Sequence, residues 1–461
     1  MKQPKGPQTP TFVQILQWVF SPMSFMEDCA KRYGDLFSIR LGTNSDPLVF
    51  VSNTQVLQQI LTGDTTKQFE APGDLNVIFE FLLGKQSVIT LSGTLHQRQR
   101  QLMMPPFHGE RMRTYGNTIS NITDEIMNRW QIGKPFCVRS STQLITLRTI
   151  LEAVFGLYEG PRAQKLEQLL SVMLDEASTP LSVAMLYFPA FQKDLGAWSP
   201  WGRVVRRQQQ VDQLLYEEIR EHRENPDPSR TDILSLLMAA VDEAGQPMTD
   251  QELRDELMTL LVAGHETTAT ALAWALYWIH KLPEVREKLL QELDSLGENP
   301  DSNAIFKLPY LNAVCNETLR IYPVAMLVFP RVPKEEVSLA GYDFKPGTVL
   351  IGSIYLTHHR EDLYPEPRKF KPERFLERQF SPYEFLPFGG GARRCIGFAF
   401  AMFEMKIALA KILSRLELEL VDNGEVRPKR RGLVTAPDRS IKLVVKGERA
   451  VKSRTLEAVS S

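Results

Sequence analysis

The longest uninterrupted helical pattern in this chain starts at Thr249 and stops at Leu282-Pro283. Thr249 and Glu252 have the spacing of a capping box, in which hydroxyl and carboxylate reciprocally satisfy backbone N–H groups at a helix start. The residue before a proline is biased away from helical geometry, which sets the other end. About 32 residues lie between, or ~48 Å at 1.5 Å per residue, enough to span a whole domain. Leu253, Leu257, Leu260, Leu261, Leu272, Ala275, Leu276 and Ile279 recur at helical spacing. The middle, Ala263-Gly264-His265-Glu266-Thr267-Thr268, breaks that pattern where a core helix should be most apolar. Thr267 can return its hydroxyl to the carbonyl four residues earlier, loosening the ladder and bending the axis. Gly264 then leaves room for a small molecule or water against the opened turn. The alternative is a surface helix wearing its polar face.

From about 54 to 320 the pattern stays mostly helical, with breaks near 62–75, 105–110, 158–162, 178–203 and 224–230. Residues 36–41 and 48–51, separated by Gly42 and an Asp46-Pro47 turn, read as an early strand pair. From 323 onward proline and glycine become frequent, and short apolar runs such as 348–351 suggest strands. The expected class is mainly α with a smaller β-rich part. Although 461 residues correspond to roughly three domains at about 150 each, no repeat and no Gly/Ser linker divides the chain, so 1–461 reads as a single catalytic unit. Its last stretch, about 447–461, is polar and expected to fray.

Lys and Arg total 54 against 55 Asp and Glu, a net charge of −1, which argues against a nucleic-acid binder. Cys29, Cys137, Cys315 and Cys395 are too few and too scattered for a disulfide framework or a paired-cysteine zinc site, which fits a reducing, cytoplasmic setting. Within the N-terminal segment of about 1–30, Phe12–Phe20 is apolar but interrupted by Gln14 and Gln17. It is far shorter than the roughly 20 residues a span needs. Docking on the protein body is the expectation; resting on a membrane periphery or covering a pocket mouth is the alternative.

The most informative stretch is Phe388-Gly389-Gly390-Gly391-Ala392-Arg393-Arg394-Cys395-Ile396-Gly397. A thiol directly after two arginines, at the start of a helix expected over 398–416, is favoured as thiolate by the cations and the helix N-terminus. Such a sulfur is a nucleophile, a metal ligand or an unreactive buried cysteine. A nucleophile would want a His and an orienting third group. A ligand with no second Cys or His at metal spacing requires a metal that brings its own other donors, as haem iron does. A phosphate-cradling glycine loop lacks its Gly-Lys-Ser/Thr ending.

Phe388-x-x-Gly391-x-Arg393-x-Cys395-x-Gly397 resembles the cysteine-loop signature of the cytochrome P450 superfamily, the haem-thiolate monooxygenases. Ala263-Gly264-x-Glu266-Thr267-Thr268 is similar to the family's oxygen-activation segment, Glu317-Thr318-Leu319-Arg320 to its E-x-x-R signature, and Pro372-Glu373-Arg374-Phe375 to the segment completing the Glu-Arg-Arg cluster. The motifs follow the family order and cover essentially the whole chain. The resemblance implies a P450-like fold whose long central helix crosses over haem b. It implies Cys395 as the iron ligand, with Ala263, Gly264, Phe388, Gly389 and Gly397 around the cofactor. His96, Arg100, Arg331 and Arg393 would hold the propionates, which cations suit; many members carry Trp at the place of His96. Glu317, Arg320 and Arg374 would form a buried structural cluster supporting the loop. Glu266 and Thr267 would relay protons to the distal oxygen, with Thr267 facing the oxygen and Glu266 off to the side.

The same resemblance marks Val77, Phe79, Met185, Leu260, Ala263, Val324, Val328 and Val434 as substrate-pocket residues, nearly all apolar. The expected reaction is hydroxylation of a C–H bond by O₂ in a lipophilic substrate such as a fatty acid, alkane or terpenoid. A haem-thiolate gas sensor or carrier, or a non-oxygenase of the superfamily, is the alternative. The length is filled by the matched pattern. Electrons are therefore expected from a separate ferredoxin or flavodoxin with its NAD(P)H reductase, docked on the face of Arg393, Arg394 and Arg98. A monomer is expected.

Overall fold

The structure is a computed structural model that describes residues 2–449, except 42–45, 65–67, 108–110, 157–159, 178–191, 197, 228, 298–299, 433 and the side chains of 77, 78, 174 and 175. Seven helices position the site: α1 (Thr11–Phe20), α2 (Thr54–Thr62), α3 (Gly93–Met103), α4 (Val138–Phe155), α5 (Asp250–Lys281), α6 (Pro309–Ile321) and α7 (Phe398–Arg415). The strands that matter are β1 (Leu36–Ile39), β2 (Leu48–Val51), β3 (Pro135–Cys137), β4 (Leu350–Gly352), β5 (Leu416–Leu420), β6 (Pro428–Arg431), β7 (Val434–Pro437) and β8 (Lys442–Glu448).

The central helix ends where its caps require. Thr249 accepts from the Glu252 N–H at 3.2 Å while Glu252 accepts from the Thr249 N–H at 2.7 Å. Leu253, Leu257, Leu261, Leu272, Ala275, Leu276 and Ile279 are buried. Helices α4, α6 and α7 and the helix Arg111–Met127 share one apolar core with α5. The core removes enough apolar surface from water to offset the ordering of so long an element. Trp274, fully buried, donates its indole N–H to the Thr435 carbonyl at 3.0 Å and so joins α5 to the β6–β7 hairpin.

The β-rich part is a set of small sheets. β1 and β2 pair antiparallel with Leu36 opposite Val51, and β2 continues parallel onto β4 with Val49 opposite Leu350. β8 lies between β3 and β5. Residues through Glu448 are strand and Arg449 bonds the Asp294 carboxylate, while the rest of the tail expected from about 447 lies outside the described residues.

The N-terminal segment is docked. Ile15, Trp18 and Val19 are buried, and Trp18 packs edge-on against Phe50 at 5.6 Å. Gln14 interrupts the apolar run because it works as a pin: its amide donates to the Pro7 and Thr9 carbonyls, and its oxygen accepts from the Arg40 N–H at 2.9 Å. Among the described residues no helix is long and apolar enough to cross a membrane.

Candidate functional site

In the middle of α5 most positions are buried; apart from Val262, which is partly accessible on another side, Leu260, Ala263, Gly264 and Thr267 keep accessible surface. Their spacing of three, one and three puts them on one helical face. Thr267 donates its hydroxyl to the Ala263 carbonyl at 2.6 Å, as its place in the helix predicts, and the helix stays continuous through this turn. A side chain on Gly264 would meet Ile150 at 3.1 Å, so this glycine lets α4 close on α5 as well as leaving room on the open face.

Glu266 points to the other side. It is buried against α4, where Arg139 bonds one carboxylate oxygen at 2.5 Å and Gln143 the other at 2.9 Å. Thr142 and Thr146 on the same helix donate to the Ala269 and His265 carbonyls. Sequence reasoning missed Arg139 and Gln143. Their i, i+4 spacing marks one face of α4, but nothing local says which helix that face meets.

Cys395 sits where the cysteine loop enters α7. Its N–H donates to the Phe388 carbonyl at 3.0 Å, and Gly389 and Gly391 adopt φ of +68° and +65°, where glycine is favoured. The sulfur is surrounded by protein yet retains accessible surface. Burial pushes its thiol up; the Gly397 N–H, Arg100 and Arg394 pull it down, but by less. Arg100, Arg394 and the Gly397 N–H thus act in the direction expected of neighbouring cations, against the burial. A metal cation at the sulfur would secure the thiolate, since coordination deprotonates a thiol outright. Among the described residues no cluster of three or more His, Cys, Asp or Glu could hold a metal, so that metal must arrive with other donors.

Beside the loop, positive charge converges. His96 is buried on α3, and burial, with Arg393, Arg100 and Arg331 nearby, holds it down to about 3. Arg393 itself is lowered to about 10 by burial and by Arg331 and Arg100, with only Asp64 and Asp74 opposing. The three guanidiniums make a positive field suited to the two carboxylates of a haem, although Arg331 and Arg393 direct their own N–H groups at protein oxygens. Arg100 also donates to the Arg394 carbonyl at 2.7 Å. Arg393 bonds the carbonyls of Ala71, Val88 and Leu91. Arg331 bonds Asp64 and the Phe329 and Gly390 carbonyls. Asp64 was not foreseen.

The loop that Arg393 grips is held from its other side by α5. Arg254 donates to the Leu83 carbonyl, Asp255 accepts from the Gln86 N–H, Glu256 accepts from the Val88 N–H at 2.7 Å, and Ser87 and Thr259 share a hydroxyl bond at 2.7 Å.

Glu317 and Arg320 are fully buried and bidentate, at 2.6 and 2.9 Å, and Arg374 reaches Glu317 at 3.4 Å. Arg320 also donates to the His358 carbonyl and Arg374 to those of Pro365 and Glu366. The cluster therefore ties down residues 358–366, upstream of the cysteine loop.

Other expectations divide. Phe79 stays partly accessible and meets Phe329 edge-on at 6.3 Å, whereas Val324, Val328 and Val434 are buried in the apolar cores. The side chain of Val77 and all of Met185 lie outside the described residues. On the presumed docking face Arg98 is spent on Asp242 and Glu252, at 2.6 and 2.7 Å, and Arg393 is buried. Of the three arginines only Arg394 is exposed, its guanidinium 4.2 Å from the Phe398 ring centre.

Buried histidines make the fold acid-sensitive. His96 and His359 are held down to about 3, His280 to about 4 and His358 well below its ordinary value, in each case chiefly by burial. Below about pH 6.5 the unfolded chain binds protons these folded groups refuse, so stability drops with pH until the folded values are reached. Glu256 and Glu404, buried and pushed well up, act oppositely above about pH 4.5, as do Glu152 and Asp212, which burial also raises. The melting temperature of the hemin-free protein is expected to fall steadily between pH 6.5 and 4.5; a flat profile there would contradict this assignment.

The family model for cytochrome P450 matches residues 4–445. Cytochrome P450 135B1 of Mycobacterium tuberculosis is 35% identical, covering 98% of this chain and 93% of that protein. Cytochrome P450 138 of Mycobacterium bovis is 31% identical, covering 95% of each. Two solved structures share the fold at 22% identity. A retinoic acid-bound cyanobacterial CYP120A1 covers 94% of this chain and 96% of its own with a TM-score of 0.81. The haem domain of cytochrome P450DA covers 97% and 98% with a TM-score of 0.84. A family match running nearly end to end, with full-length relatives above 30% identity, makes this chain a member of the cytochrome P450 family, and hence a monooxygenase that works with haem b.

Proposed function

We propose that this protein hydroxylates a C–H bond of a lipophilic substrate, such as a fatty acid, alkane or terpenoid, with electrons from a separate ferredoxin or flavodoxin and its NAD(P)H reductase. The observation that carries this reading is the accessible face of Leu260, Ala263, Gly264 and Thr267 within a stretch of helix where most positions are buried. That face is apolar apart from a single hydroxyl, which favours an apolar guest and a lone proton-handling group. Phe79 adds an aromatic wall. The cyanobacterial neighbour was solved with retinoic acid, a ligand of the same lipophilic kind.

Bound haem would supply reductive activation of O₂, held by Cys395 through its sulfur and by His96, Arg100, Arg331 and Arg393 around its propionates. The chain's part is to position and to move protons. Thr267 presents its hydroxyl on the open face with the Ala263 carbonyl as its resting acceptor, so it can turn to donate to an oxygen on that face and recover its bond afterwards. Glu266, one residue away, is the second relay group, its carboxylate held at the α4 side by Arg139 and Gln143.

With hemin bound and a ferredoxin–reductase pair supplied, retinoic acid and long-chain fatty acids are expected to drive the low-to-high-spin change and to be oxidised. Thr267→Ala is expected to keep NAD(P)H consumption while product per NAD(P)H falls by about tenfold or more, since a positioned proton donor contributes on the order of 10²–10⁴ in rate. Equal coupling in the variant would remove Thr267 from the proton path. Preference for small hydrophilic ligands would remove the substrate class.

A further inference from the structure

Asp64 follows α2 by two residues, and its side chain is almost fully buried. One carboxylate oxygen does three things. It accepts from Arg331 Nε at 2.9 Å, meets Arg331 Nη2 at 2.9 Å, and accepts from the Ala392 N–H of the cysteine loop at 2.9 Å. The other oxygen is buried and has no hydrogen-bond partner. Arg331, itself fully buried, directs its remaining donors at the Phe329, Pro330 and Gly390 carbonyls. Each of its three nitrogens is thus directed at a protein oxygen, and its charge is matched by Asp64. The fit is close on the loop side too. A side chain on Gly391 would start 2.4 Å from the same Asp64 oxygen and 2.4 Å from the Leu61 carbonyl, and one on Gly390 would start 2.9 Å from Leu61.

We propose that Asp64 is a positioning residue of the haem site with two effects: it locks Arg331 and the cysteine loop into one frame, and its fixed negative charge offsets the guanidinium cluster and so lowers the reduction potential of the iron. The frame follows from the shared oxygen, three residues before Cys395 in the loop. The electrostatic effect follows from sign and burial. Arg100, Arg331 and Arg393 favour the more electron-rich ferrous state. A carboxylate among them opposes this, and buried charges are screened far less than exposed ones. The proposal rests on haem lying beside this arginine cluster, as read above.

Asp64→Asn separates charge from shape, since the amide oxygen can still accept from Arg331 and from Ala392. In the purified holoenzyme this variant is expected to keep its red-shifted ferrous carbonyl band while its ferric/ferrous midpoint moves positive. A change of about tenfold in the ferrous-to-ferric ratio at fixed potential corresponds to 59 mV for one electron. Glu and Gln at position 64 repeat the comparison at equal length: Glu should stay near the native potential and Gln should follow Asn. Midpoints in Asn and Gln equal to the native value, with only the melting temperature lowered, overturn the charge role. If Asp64→Asn does not retain hemin, retention by Asp64→Glu but not by Asp64→Gln supports the proposal, and equal behaviour of that pair overturns it. The cluster reading is checked separately by Arg100→Gln, in which hemin transfer to apomyoglobin should quicken. Unchanged transfer there counts against haem beside the arginines, whatever Asp64 does.

Discussion

Glu317→Gln is expected to yield a chain that accumulates little hemin and melts well below the native protein. Glu317 is fully buried and its two oxygens accept from Arg320 Nε and Nη2, from the Lys371 N–H at 2.8 Å and from Arg374. Glutamine removes the negative charge between two buried guanidiniums and replaces one acceptor with a donor that faces donors. Removing one partner of a buried pair costs about 3–5 kcal/mol, because the other charge is left uncompensated. Against a total stability of about 5–15 kcal/mol that is a large share. The damage also has a direction. Arg320 and Arg374 tie down residues 358–369, and Leu386, at the entry to the cysteine loop, donates its N–H to His358 at 3.0 Å. Freeing that stretch loosens the loop before the rest of the fold. The iron-to-protein ratio and the melting temperature decide the matter, and a full iron load with native melting would show that the pair is dispensable.

Gly391→Ala is expected to be nearly as severe, by an unrelated route. At φ of +65° an L side chain costs about 1–2 kcal/mol, and packing a methyl where none fits typically costs 1–3 more. One obstructing atom is the Leu61 backbone carbonyl, which cannot rotate aside as a flexible side chain could. The strain must therefore move the loop that carries Cys395. The expected signature is a ferrous carbonyl spectrum that loses its red-shifted band while far-ultraviolet circular dichroism stays native. Retention of that band at native intensity would mean that the loop absorbs the methyl elsewhere.

The sequence made some parts of this molecule legible because their causes are local. The ends of α5 follow from Thr249, Glu252 and the Leu282-Pro283 step, and β1 and β2 from two short apolar runs flanking a turn. The Thr267 hydroxyl bond follows from helix geometry alone. Family motifs supplied the Glu317–Arg320–Arg374 cluster, since i, i+3 spacing by itself cannot distinguish a surface pair from a buried one. What stayed hidden depends on contacts across long sequence separations. Arg139 lies 127 residues from Glu266 and Asp64 lies 267 from Arg331. Arg98 looked like a free surface cation because Asp242 and Glu252 are 144 and 154 residues away.

The stretch around 83–91, gripped on one side by the Arg254-to-Thr259 turn of α5 and on the other by Arg393, ties the central helix to the residue two before Cys395. The two halves of the site are thus braced through a segment that belongs to neither, and a substitution there would disturb both ends at once.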